Sequence, residues 1–144
     1  GILDFINDYR VDDTVILIAE DGGHFEDFIN RPIAYRMSGK FWVNNHAHIL
    51  KAKPIYDQDF IFYSLVHKNI LSFISSGTRA KLNRSELNKI TVQLPANKSE
   101  QTTIATILND IDNEIVELEE QLSKTRMLKQ GMMQELLTGR IRLI

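Results

Sequence analysis

The chain has 144 residues, 43% of them hydrophobic and 25% charged, with a formal net charge of −2 and no cysteine. This is enough apolar material for one globular core plus an appendage, and the missing thiols exclude a disulfide framework, a thiolate metal site and a cysteine nucleophile. No apolar run reaches the length of a membrane span and no signal-peptide pattern is present, so a cytoplasmic chain with no membrane partner is expected.

The chain opens Gly-Ile-Leu-Asp without a methionine, as a piece trimmed at its N-terminus would. Thr14 to Ala19 is a continuous, largely β-branched run after Asp12-Asp13 and before Asp21-Gly22-Gly23, which predicts a buried central strand leading into a loop. From Glu20 to Lys40 no period is sustained, so a long functional loop is expected there, with room for one short helical turn or strand. Phe41 to Ala52 reads as a strand. Phe41, Val43, Asn45, Ala47 and Ile49 fall on one face and Trp42, Asn44, His46, His48 and Leu50 on the other.

Asp57 is a candidate cap for a helix over Gln58 to Ser75, stopped by Ser75-Ser76-Gly77. A basic loop, Thr78 to Leu82, follows. Asn83-Arg84-Ser85-Glu86 then has the N-x-x-E spacing that starts a short helix, and Ile90, Val92 and Leu94 alternate as a last strand ended by Pro95.

Asn97-Lys98-Ser99-Glu100 repeats the capping spacing at the head of a helix running to Gly139. Ile104, Leu108, Ile111, Ile115, Leu118 and Leu122 recur at steps of four and three, the seam of a coiled coil; it weakens at Thr125 and Lys129 and resumes at Met132 and Leu136. Such a helix is roughly 60 Å long at 1.5 Å per residue, more than a head of this size can cover. Its apolar stripe therefore calls for an equivalent helix on another chain, the competing arrangement being a fold back onto its own head. The division expected is 1–96 as a mixed α/β head, 97–139 as a single long coiled-coil helix, and 140–144 as a tail able to dock as a strand.

Charge is segregated along the chain. Lys68 to Lys98 holds six Lys and Arg against Glu86, Ser99 to Glu120 holds seven acids and no base, and Gln121 to Ile144 holds five bases against Glu135. An acidic first half and a basic second half favour antiparallel pairing of two copies.

Several segments, taken in order, carry a resemblance: Leu17-Ile18-Ala19-Glu20-Asp21-Gly22-Gly23, Gly39-Lys40-Phe41-Trp42-Val43-Asn44-Asn45-His46, Ser76-Gly77-Thr78-Arg79-Ala80-Lys81-Leu82, Leu94-Pro95, Glu100-Gln101 with Ile104-Ala105 and Leu108, and Lys129 to Gly139 ending Leu136-Leu137-Thr138-Gly139. Together they resemble the specificity subunit of type I restriction-modification systems. The resemblance implies a non-catalytic DNA-recognition module for one half of a split site in double-stranded DNA. It implies long helices that pair as a ruler, and partners comprising an adenine methyltransferase subunit, which carries the S-adenosylmethionine, and a restriction/motor subunit. With room for one recognition domain and one helix, the chain looks like a half subunit that pairs with a second copy or another half. Two heads on such a rod suit half-sites one to two turns of duplex apart, a turn being roughly 34 Å.

Catalytic patterns are missing. No Asn/Asp-Pro-Pro-aromatic run for amino methylation, no Gly-x-x-x-x-Gly-Lys-Ser/Thr phosphate cradle and no Glu-x-Lys nuclease pattern occurs. His46-x-His48 with Asp21 or His24 has zinc-ligating residue types, but ordinary polar surface or hydrogen-bonded histidines are the reading taken, with no metal. His24, Asp21 and Ser76 make a triad only on paper, without a nucleophile elbow.

The DNA-binding set expected is Arg31, Tyr35, Arg36, Lys40, Trp42, Asn44, Arg79, Lys81 and Arg84. Arginines can take guanine O6 and N7 together, Asn44 can address adenine, Trp42 can stack or pack, and Arg79, Lys81 and Arg84 suit phosphates. The competing function is a coiled-coil oligomerisation module whose head binds protein rather than DNA.

Overall fold

A computed structural model describes residues 7–75 and 80–143. The chain divides into two compact units, Gly1–Ala105 and Thr106–Ile144.

The first unit is mixed α/β. Strand β1 is Val11–Asp12, β2 is Val15–Ala19, β3 is Ala34–Met37, β4 is Lys40–Phe41 and β5 is Ala47–Leu50; helix α1 is Gln58–Val66 and α2 is Arg84–Leu87. As its β-branched run predicts, β2 is central, in an antiparallel sheet ordered β3-β2-β5 with Ile16 opposite Arg36 and Leu50. Ile16 and Ile18 are fully buried, each contributing about 1.5–3 kcal/mol, among Phe25, Ile33, Ala34, Phe62, Leu65, Ile70 and Leu82. A separate two-stranded ribbon pairs β1 with β4, Val11 opposite Phe41 and Asp12 opposite Lys40.

The expected long loop contains both a 3-10 turn, Phe25–Asp27, and β3. The expected strand 41–52 is instead broken. Asn44 Oδ1 accepts the His46 backbone N–H at 3.1 Å, a side-chain turn that interrupts the extended run and divides it between two sheets.

Asp57 caps α1 as expected, its carboxylate accepting Phe60 N–H at 2.9 Å. The helix stops at Val66 rather than Ser75, because Asn69 turns the chain by accepting Leu71 N–H at 3.1 Å and a 3-10 turn, Leu71–Phe73, follows. Asn83 precedes α2 without a side-chain cap; its amide donates to Ser75 Oγ at 3.0 Å instead. No strand forms over Ile90 to Leu94, yet Ile90 and Val92 still pack against the core. The alternation there marks burial without a ladder.

Helix α3, Lys98–Leu137, is continuous for 40 residues, about 60 Å at 1.5 Å per residue. Asn97 opens it by accepting Ser99 N–H at 2.8 Å. Gly139 closes it with φ +73, its N–H donating to the Leu136 carbonyl at 3.3 Å. In the first unit, Gln101 and Ala105 are the buried residues of its first turns. In the second unit, Ile111, Ile115, Leu118, Leu122 and Met132 are about half exposed, and Leu128, Lys129, Met132, Met133 and Leu136 line an open apolar strip. The expected docking of the tail as a strand does not occur over residues 140–143.

Candidate nucleic-acid interface

Two junctions in the first unit gather residues far apart in sequence. At the end of β2, Glu20 N–H donates to the His46 carbonyl at 2.8 Å and Leu82 N–H donates to the Glu20 carbonyl at 2.7 Å. His46 Nδ1 donates to the Asp21 carboxylate at 3.0 Å, His48 Nε2 donates to the Leu82 carbonyl at 2.7 Å, and Lys81 Nζ pairs with Glu20 at 3.1 Å. Glu20-Asp21, His46 with His48, and Lys81-Leu82 thus form one knot of backbone and side-chain bonds. The histidines serve this knot, and among the described residues no group of three or more potential ligands surrounds a metal position.

The second junction joins the head of α3 to α1. Gln101, only 2% exposed, donates from Nε2 to the Pro95 carbonyl at 2.9 Å and accepts Asp57 N–H at 3.0 Å. Thr102 donates its hydroxyl to the Asp57 carboxylate at 2.8 Å. Both amide ends of a buried glutamine are thereby satisfied, as burial requires. Leu94-Pro95 and Glu100-Gln101 meet here.

The expected DNA-contacting residues fall into different environments. Arg31 is exposed just before β3, Tyr35 is 53% exposed on it, and Arg84 is exposed on α2. Lys81 is partly engaged by Glu20, and Asn44 is exposed while its oxygen holds the turn before β5. Arg79 lies outside the described residues, as does Ser76 of the paper triad.

Arg36 is drawn onto α1, donating to Asp59 at 3.1 Å and to Tyr63 Oη at 3.3 Å, with its guanidinium carbon 4.6 Å from the Phe62 ring centre. Partial burial works against its charge, but the Asp59 hydrogen bond together with Tyr63 outweighs that, raising its pKa above the ordinary arginine value. Such a clamp positions β3 against α1, the two being in contact.

Lys40 and Trp42 lie at the β1–β4 ribbon, each beside a residue sequence reasoning passed over. Arg10 stacks 3.9 Å over the Trp42 ring, and Lys40 Nζ sits 4.8 Å from the Tyr9 ring centre. The cue was Asp8-Tyr9-Arg10-Val11-Asp12, where charged and aromatic residues alternate with one apolar residue.

The profile of the type I restriction modification DNA specificity domain matches residues 1–125. The chain belongs to this family. A specificity subunit of a type I restriction enzyme from Haemophilus influenzae, so assigned, is 34% identical over 109 residues, covering 76% of this chain and 27% of that relative. The specificity domain described here therefore spans about a quarter of that relative's length, and its two junctions give physical roles to several segments through which it resembles the family.

Proposed function

We propose that this specificity domain reads one half of a split sequence in double-stranded DNA and directs an adenine methyltransferase, with a restriction/motor subunit, to that site. The observation that carries this is the family match over residues 1–125. A head holding exposed cationic and aromatic side chains, Arg31, Tyr35, Lys40, Trp42 and Arg84, is consistent with it. Residues 1–96 serve as the recognition domain, 97–139 as spacer and dimerisation helix, and 140–144 as a tail. The chain contributes recognition rather than chemistry; S-adenosylmethionine belongs to the methyltransferase partner, and the complex works in the cytoplasm on cellular DNA.

The long helix supplies the second copy, or an equivalent half subunit, through Ile104, Leu108, Ile111, Ile115, Leu118, Leu122, Met132 and Leu136, zipped as an antiparallel coiled coil. A stripe of half-exposed aliphatic side chains on a helix of this length favours that pairing, because each such leucine or isoleucine buried contributes about 1.5–3 kcal/mol. Sequencing of methylated adenines in a host with and without the chain tests the proposal. A split adenine motif present only with the chain is expected; identical methylomes, with the methyltransferase and the chain both expressed, overturn it.

A further inference from the structure

The β1–β4 ribbon has a half-buried side, Val11 and Phe41, and an exposed side on which Asp12 is opposite Lys40. Continued one step, the same register sets Arg10 opposite Trp42, in agreement with their 3.9 Å stacking, and Tyr9 closes against Lys40 at 4.8 Å. Arg10 N–H donates to the Phe41 carbonyl at 3.1 Å, and Asp13 and Gly39 exchange backbone bonds at the other end, so both ends of the ribbon are fixed. Two cations are thus held on aromatic faces in solvent, with part of their rotamer entropy already lost and their N–H groups still able to donate.

Charge decides what this surface suits. Arg10 and Lys40 are balanced by the exposed acids Asp8 and Asp12, while Lys51 is paired with Asp13. A neutral surface gains little from phosphates, whose attraction requires a cationic surplus. Base edges ask for a mixed set: a fork for guanine O6 and N7, a carboxylate for cytosine N4, an apolar face for the thymine methyl. Arg10, Asp12 and Trp42 supply one of each. A two-stranded ribbon is also an element that the major groove admits.

We propose that the β1–β4 ribbon is a base-reading element of this domain, with Arg10 as its principal reader and Trp42 as the platform that orients it. This rests on the DNA-recognition reading above.

The test is selection of bound sequences from a randomised duplex library by the full chain and by Arg10→Ala, Arg10→Lys, Asp12→Ala and Arg84→Ala, followed by titration of the winning duplex at several salt concentrations. For Arg10→Ala and Arg10→Lys the preference at one position of the motif should relax about tenfold, with the salt slope of Arg10→Lys unchanged because its charge is kept. Asp12→Ala should relax a different position. Arg84→Ala serves as the contrast, lowering affinity for all sequences alike. A wild-type chain that enriches a motif while every ribbon variant enriches the same one overturns the ribbon assignment alone. A wild-type chain that enriches nothing overturns it together with the DNA reading. Circular dichroism showing the variants folded makes the comparison one of recognition.

Discussion

Gln101 and Asp57 hold each other across the start of the long helix: the Gln101 side-chain oxygen accepts Asp57 N–H at 3.0 Å, while the Asp57 carboxylate caps α1 and accepts the Thr102 hydroxyl. The α1 cap and the first turns of α3 are therefore one polar unit, and Gln101 is its buried centre. Gln101→Ala strands the Asp57 N–H and the Pro95 carbonyl, for a loss of about 2–4 kcal/mol in urea unfolding. Thr102→Ala, at an exposed bond, should cost less, about 0.5–1 kcal/mol by the same measurement.

Gly23 lies where a side chain cannot fit. A Cβ built on it would stand 2.6 Å from the far end of the Phe25 ring, and Phe25 is 1% exposed in the core. The ring cannot retreat without moving its neighbours, so Gly23→Ala should destabilise by about 1–3 kcal/mol, seen as a lower thermal midpoint. Gly23→Ala combined with Phe25→Leu should recover part of that loss.

Arg31 and Arg36, five residues apart and indistinguishable as sequence, should separate in experiment. Arg36 is committed to Asp59, Tyr63 and the Phe62 ring, whereas Arg31 is exposed. Arg36→Ala should lower stability by about 1–2 kcal/mol, discounted for its partial exposure, and lose DNA affinity only through that. Arg31→Ala should leave the unfolding midpoint in place and weaken duplex binding directly, in a fluorescence anisotropy titration.

How much of this was legible before the fold depends on what carried each signal. The buried run Val15 to Ala19, the Asp57 cap and the left-handed stop at Gly139 are local, and the residues announce them. Breaks in the 41–52 and 58–75 segments came from Asn44 and Asn69, whose side chains compete with the backbone for one N–H each. Ile90 to Leu94 alternates like a strand because Ile90 and Val92 are partly buried against the core while Thr91 and Gln93 are exposed, and periodicity reports burial, not hydrogen bonding. The ribbon was hidden for another reason: Arg10 meets Trp42 only through a non-local pairing, and two-residue strands leave almost no pattern.

Acid should loosen the exposed end of the ribbon. The hydrogen bond from Lys51, then that from Thr14 N–H, holds the Asp13 carboxyl below its ordinary range. A depressed carboxylate contributes stability above its unfolded pKa and loses it as pH falls through the folded one. The loss should thus be confined to pH below the usual aspartate range. Lys51→Met should move the Asp13 titration, followed by carboxyl NMR, upward toward that range without reaching it, since Thr14 still donates; an unmoved titration would show the Lys51 contact to be unimportant.

Leu118 is 56% exposed at the middle of the apolar stripe. The antiparallel pairing proposed above would cover it, and in Leu118→Asp each copy would lose that burial and bring a carboxylate into the seam. Two lost leucines, at about 1.5–3 kcal/mol each, amount to roughly two to four orders of magnitude in the dimer dissociation constant. Sedimentation equilibrium should therefore show monomers of the variant at concentrations where the parent chain is dimeric. The head, which contains no part of the altered stretch, should keep its near-ultraviolet spectrum. Antiparallel pairing adds a salt signature: with Glu114 to Glu120 facing Lys124 to Lys129 of the other copy, raising salt should weaken the parent dimer, whereas a parallel pair, with like charges abreast, should be strengthened. A Leu118→Asp chain that sediments as the same dimer would remove the long helix from the assembly.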